Sequence, residues 1–166
     1  ALKKISIMEK MDPSIGEYFK LKQWIDTFMR IPFNKHSNLP VNINDGIEIC
    51  NTYMENAVKT LDDAVFGLND AKMQIMQLIG QWIVNPDAMG SAIAIKGPMG
   101  TGKTTLVKEG ISKILNRPFA LIALGGATDA SVLEGHGYTY EGSTWGKIVD
   151  ILIQTKSSNP IIYFDE

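Results

Sequence analysis

The 166-residue sequence has a single cysteine, Cys50, so no disulfide can form within the chain, and a reducing compartment is the simplest reading. It contains no apolar run of about 18 residues, which argues against a membrane-spanning helix. Neither sign of charge dominates: the formal net charge is −2. Nothing electrostatic therefore points to nucleic acid or an anionic membrane as a bulk partner. Arginine is scarce, with Arg30 and Arg117 the only two. There is no internal repeat and no low-complexity segment, and the start Ala1-Leu2-Lys3-Lys4 does not have the form of a signal peptide. What remains is the composition of a globular protein, 45% hydrophobic and 20% charged. A chain of this length can bury roughly 70% of the surface that its unfolded form exposes.

The first part of the chain reads as helices. Ser14 and Glu17 have capping-box spacing, and Ile15, Phe19, Trp24, Ile25, Phe28 and Met29 then recur at helical intervals until Pro32. Residues 34–44 lack periodicity and read as a loop. Asn44 or Asp45 is expected to cap a second helix to about Lys59, with Ile47, Cys50, Met54 and Val58 on one face. Asn69 or Asp70 is expected to cap a third, with Met73, Met76, Leu78, Ile79 and Ile83 inward, closing near Asn85-Pro86.

From Ser91 the rhythm changes to alternating strand and helix. Ala92 to Ile95 reads as a short buried strand, Thr104 to Leu115 as a helix, and Phe119 to Leu124 as a second strand. A short helix is expected over Asp129 to Leu133. Trp145, Ile148, Val149, Leu152 and Ile153 mark an amphipathic helix, and residues 161–164 form a last strand. Such alternation predicts an α/β fold, a parallel sheet with helices on both faces, preceded by a helical segment. The expected division is a helical linker over residues 1–60 and a P-loop core over 61–166. The first residue is not methionine and the last is the second of two carboxylates, so both ends read as cut. The sheet is then expected to be incomplete.

The chemistry is concentrated in Gly97-Pro98-Met99-Gly100-Thr101-Gly102-Lys103-Thr104, which satisfies G-x-x-x-x-G-K-[ST]. In such a loop, glycines let backbone N–H groups converge on phosphate oxygens at a helix N-terminus. Gly97, Gly100 and Gly102 supply that freedom here. Lys103 would reach the β- and γ-phosphates, and Thr104 would place its hydroxyl on Mg²⁺. The alternative is a plain glycine-rich turn with an exposed lysine, but a strand entering the loop and a helix leaving it argue for the phosphate site. The chain ends on Ile161-Ile162-Tyr163-Phe164-Asp165-Glu166. Asp165 is the candidate magnesium partner and Glu166 the candidate base that polarises the attacking water. An Asp-Glu pair alone is often just a solvated strand end, and the upstream P-loop tips the reading towards an ATPase. One strand separates the P-loop strand from the Asp-Glu strand, the order found in P-loop ATPases with a glutamate base rather than in nucleotide kinases.

The run Leu121-Ile122-Ala123-Leu124-Gly125-Gly126, with Gly135-His136, Thr139-Tyr140 and Gly142 after it, resembles the AAA+ module of Lon-type ATP-dependent proteases. The family pattern there is close to S-L-G-G … G-H-x-x-T-Y-x-G. Leu61-Asp62-Asp63 with Phe66-Gly67-Leu68 resembles the family's L-D-x-x-x-Y-G-L, and Trp24-Ile25-Asp26 to Ile31-Pro32-Phe33 resembles its linking helix. The likeness extends from about residue 8 to 166. It implies that Val65, Phe66, Gly67 and Leu68 wall an adenine, with Phe66 in place of the usual tyrosine. It implies that Gly97 to Thr105 hold the phosphates of ATP, and that Asp165 and Glu166 complete the chemistry with Mg²⁺. Tyr140-Glu141 would form the pore loop that grips an unfolded or misfolded polypeptide. A homo-hexameric ring and a cytoplasmic or mitochondrial-matrix location are further implications.

Three features depart from the family pattern. Glu141 stands where an apolar residue is usual, Trp145 where a proline is usual, and the linker from Asn34 to Thr60 is long. No catalytic role is assigned to His136. The resemblance would place the arginine finger, the sensor residues and a serine–lysine peptidase dyad beyond Glu166, so the chain alone is expected to hydrolyse little ATP. Two alternatives stay open: an AAA+ remodelling ATPase or chaperone without a peptidase, and a nucleotide-binding remnant that does not hydrolyse.

Overall fold

The computed structural model describes residues 1–86, 91–125, 129–135 and 145–165. Its helices are α1 (Leu2–Met8), α2 (Gly16–Arg30), α3 (Ile47–Ala64), α4 (Asn69–Val84), α5 (Lys103–Thr105), α6 (Ser112–Leu115), α7 (Ser131–Glu134) and α8 (Lys147–Thr155). The strands are β1 (Phe119–Ala123) and β2 (Ile161–Asp165). Two compact units emerge. One is drawn from Ala1–His36, Ala120–Pro160 and the chain from Phe164 on; the other comprises Ser37–Phe119 with Ile161–Tyr163. The boundary expected between residues 60 and 61 falls inside the continuous helix α3.

The strands pair in parallel. Ile161 N–H donates to the Pro118 carbonyl at 2.8 Å, and Leu124 N–H donates to the Asp165 carbonyl at 2.7 Å. The crossover between them carries α7 and α8, as a parallel connection requires. The strand expected at residues 92–95 is not one. Residues 91–98 are irregular, Ile93 is exposed, and only Ile95 packs against the core. An apolar run becomes a strand only when a neighbour takes its backbone groups, and no described residue pairs with this one.

The core of the second unit lies between α3, α4 and the helical run that starts at Lys103. Leu61, Ile79, Leu106 and Leu115 are its fully buried large side chains. That run was expected to be α-helical throughout, but it widens to a π-helix over Leu106–Ile111 between α5 and α6. Gly110 sits there against α3, and a Cβ on it would lie 2.9 Å from Leu61 Cδ2. Tyr53 on α3 donates its hydroxyl to the Ile114 carbonyl at 2.6 Å, tying α3 to α6.

In the first unit, α1 meets α2 through the Lys4 ammonium, 3.7 Å from the centre of a Trp24 ring. Trp24 stacks on Phe28 with centroids 5.2 Å apart, and Phe28 meets Phe33 at 5.0 Å. Ser158 is fastened to the end of α2: its N–H donates to the Lys35 carbonyl at 2.8 Å, and its hydroxyl donates to the Pro32 carbonyl.

Helices α2, α3 and α4 stand where periodicity predicts them, but their caps and inward faces differ, and α1 was not expected. Ser14 makes no capping box; its N–H and hydroxyl both go to the Asp12 carboxylate, which holds the Asp12 pKa below its ordinary value. The capping box forms instead at Asn42 and Asp45, around a 3₁₀ turn over Ile43–Asp45. Ile47 and Val58 on α3 and Met73 on α4 are exposed, against expectation. The faces that are buried carry Cys50, Ala57 and Leu61 on α3, and Lys72, Ile75, Ile79 and Ile83 on α4.

Candidate nucleotide-binding site

Residues 97–102 form a loop ahead of α5, and two of its glycines adopt a backbone that side-chain-bearing residues rarely take. Gly100 has φ +76° and Gly102 has φ +88°. Gly97 does not share this property. Its φ lies outside the left-handed region, and a Cβ there would meet nothing nearer than Thr101 Oγ1 at 3.6 Å, so the freedom expected at Gly97 is not used. Thr101 donates its hydroxyl to the Pro98 carbonyl at 2.9 Å, which closes the turn. The Lys103 ammonium folds back over the loop and donates to the Gly97 and Pro98 carbonyls, each at 2.8 Å.

Among the described residues, no backbone carbonyl takes the N–H of Gly100, Thr101 or Gly102. Those donors, the Lys103 ammonium and the Thr104 hydroxyl belong to five consecutive residues, Gly100 to Thr104. That donor set suits a phosphate chain. Met99 is almost wholly exposed at the tip. Thr105 continues α5, and the Leu106 N–H then donates to the Gly102 carbonyl at 2.8 Å.

The segment expected to wall the base lies beside this loop. Val65 follows α3, and its side chain covers Gly102: a Cβ on that glycine would sit 2.9 Å from Val65 Cγ1 and 3.1 Å from Cγ2. Phe66 is fully exposed. Gly67 has φ +74° and Leu68 φ +53°, so two consecutive left-handed residues turn the chain into α4. Beneath the turn lies Lys72, which sequence reasoning missed. Its side chain is only 10% exposed, and its ammonium donates to Asp62 Oδ1 at 2.8 Å and to the Val65 carbonyl at 2.7 Å. The signal was present, since Lys72 shares the helical face of Ile75, Ile79 and Ile83.

Asp165 ends β2 and is half-buried, with its carbonyl engaged by Leu124 as described. Glu166, Tyr140, Glu141 and His136 lie outside the described residues. Among the described residues, no group of three His, Cys, Asp or Glu side chains is arranged to hold a metal ion by itself. No helix among them is long and apolar enough to cross a membrane.

Comparison with known proteins identifies the family. Residues 93–166 match the AAA family, ATPases associated with various cellular activities. A Lon protease homolog of Acanthamoeba polyphaga mimivirus is 35% identical over 151 residues, covering 89% of this chain and 15% of its own. Lon protease 2 of Bdellovibrio bacteriovorus is 33% identical over 166 residues, 100% of this chain and 19% of its own. A mitochondrial Lon protease homolog of Yarrowia lipolytica is 32% identical over 159 residues, 96% of this chain and 12% of its own. The chain thus spans less than a fifth of the length of these relatives. The match over residues 93–166 makes this an AAA-type ATPase module. Within that class the chain belongs to the Lon-type AAA+ family.

Proposed function

We propose that this module binds Mg-ATP and hydrolyses it, and that in the whole protein the turnover drives an unfolded or misfolded polypeptide through a ring into a peptidase chamber. Gly100, Thr101, Gly102, Lys103, Thr104 and Thr105 hold the phosphates, with Gly97, Pro98 and Met99 completing the loop. Val65 to Leu68 wall the adenine. Thr104 and Asp165 hold Mg²⁺, which when bound neutralises charge on the phosphate oxygens. Glu166 takes the proton of the attacking water, and Tyr140-Glu141 contact the polypeptide. A homo-hexamer is the assembly in which such a pore loop acts. Among the Lon-named relatives is a mitochondrial one from Yarrowia lipolytica, which supports a matrix or other reducing location.

One observation carries the nucleotide reading: a left-handed glycine pair whose amide donors no described backbone carbonyl takes, crossed by the lysine that the motif demands. The test is binding of a fluorescent ATP analogue to the chain and to Lys103→Ala. The Lys103 bonds are to exposed carbonyls, so its removal leaves the fold intact. Wild-type binding that the substitution abolishes supports the assignment; equal binding by both proteins refutes it.

A further inference from the structure

We propose that Lys72 is a positioning residue for the nucleotide base, holding the 65–68 turn against the P-loop; this rests on the reading of residues 97–105 as the phosphate site. An ammonium nearly withdrawn from water is costly unless it is paired and hydrogen-bonded. Asp62 is a weak reason for accepting that cost, because its side chain is 60% exposed and water screens the pair. The Val65 carbonyl is the stronger one. The Lys72 side chain grips the start of the turn, its ammonium on the Val65 carbonyl at 2.7 Å. The first backbone bond of α4, from the Lys72 N–H to the Leu68 carbonyl at 2.9 Å, closes the other end whatever side chain stands at 72.

What lies between those two bonds is strained. Leucine at φ +53° has its Cβ crowded against the carbonyl, and persists only where its surroundings impose the conformation. Lys72 imposes it. The bond also fixes where the Val65 backbone runs, and hence where its side chain lies against Gly102. A line of contact thus runs from α4 through Lys72 and Val65 to Gly102 of the loop read as the phosphate site. Phe66 is fully exposed on the same turn. Withdrawing the ammonium frees the base wall while leaving the phosphate loop its own Thr101 and Lys103 bonds.

The test compares the wild-type chain with Lys72→Met, which keeps the length of the side chain among its neighbours Leu61, Met73 and Met76. Binding of ATP, GTP and inorganic tripolyphosphate is measured with Mg²⁺ present, alongside thermal melting. The expected result is that the preference for ATP over GTP falls about tenfold, the loss of one charge-assisted hydrogen bond, while tripolyphosphate affinity holds. Asp62→Asn, which leaves the bond to Val65, should keep the wild-type preference. Lys72→Leu, which also removes the ammonium, should mimic Lys72→Met and gives a second reading if Lys72→Met does not fold. An unchanged ATP-to-GTP ratio in Lys72→Met, or in Lys72→Leu if Lys72→Met does not fold, overturns the role of Lys72 and leaves the phosphate site standing. A wild-type chain that binds neither tripolyphosphate nor ATP overturns the phosphate site and the inference with it.

Discussion

Val65 lies over Gly102 so closely that the glycine has no room for a side chain: a Cβ there would come within 2.9 Å of Val65 Cγ1. The same glycine has φ +88°. Two independent restrictions therefore act on one position, and they can be separated. Gly102→Ala should lower unfolding stability by about 2 kcal/mol or more, from left-handed backbone strain and overlap together. Adding Val65→Ala should relieve the overlap and leave a residual cost of about 1–2 kcal/mol from the backbone. Urea unfolding of the single and double variants measures both. Full recovery in the double variant would show that the backbone contributes nothing.

Thr104 follows Lys103 in α5, and it is the residue assigned to magnesium on the helix side. Wild-type affinity for ATP should rise when Mg²⁺ is added, whereas Thr104→Ala should lose most of that rise, about tenfold, with metal-free binding little changed. Titration calorimetry with and without EDTA reads the difference. An equal magnesium effect in both proteins would remove Thr104 from the metal site.

Glu166→Gln should bind ATP as the wild type does and lower turnover by about 10² to 10⁴, the usual contribution of a positioned general base. Phosphate release by the full-length protein, set against nucleotide binding by the same sample, checks it. Full turnover in the variant would mean that another group prepares the water.

Burial raises the pKa of Tyr53 above its ordinary 10.0, opposed in part by the Arg117 charge. The folded state thus holds this proton more tightly than the unfolded chain does. The sign follows: the contribution is fully present below pH 10.0 and is lost as pH rises through the folded value. Tyr53→Phe should cost about 1 kcal/mol at neutral pH, through the lost bond to Ile114, and should flatten the alkaline decline in stability. Melting curves from neutral pH to above 10 for both proteins test it. An alkaline decline that persists unchanged in the variant would assign it to other groups.

The elements most legible in the sequence were those with a sustained local period. Helix α4 ends at Val84, just before the Asn85-Pro86 stop that was read for it, and β1 and β2 fall within a residue of their expected bounds. Period alone places a helix but sets its inward face loosely, because 3.6 residues per turn leaves neighbouring rows nearly equivalent. Hence Met73 was expected inside and is exposed, while Lys72, one residue earlier, is buried. A lysine on a helix ordinarily reads as part of a solvated face. Only a carbonyl brought within reach by the 65–68 turn makes its burial tolerable.

The P-loop motif and the family were legible in the linear chain, because such a motif is a local device: glycines, a lysine and a hydroxyl at set spacing within eight residues. The sequence by itself also determined the α/β alternation that ends in a strand closed by Asp165. The tertiary structure alone decided which glycines use their freedom, that residues 92–95 stay unpaired among the described residues, and that Val65 sits on Gly102. It alone brought Lys72 to the Val65 carbonyl. Those outcomes depend on which distant backbone groups meet, and a linear pattern carries no record of such meetings until packing selects them.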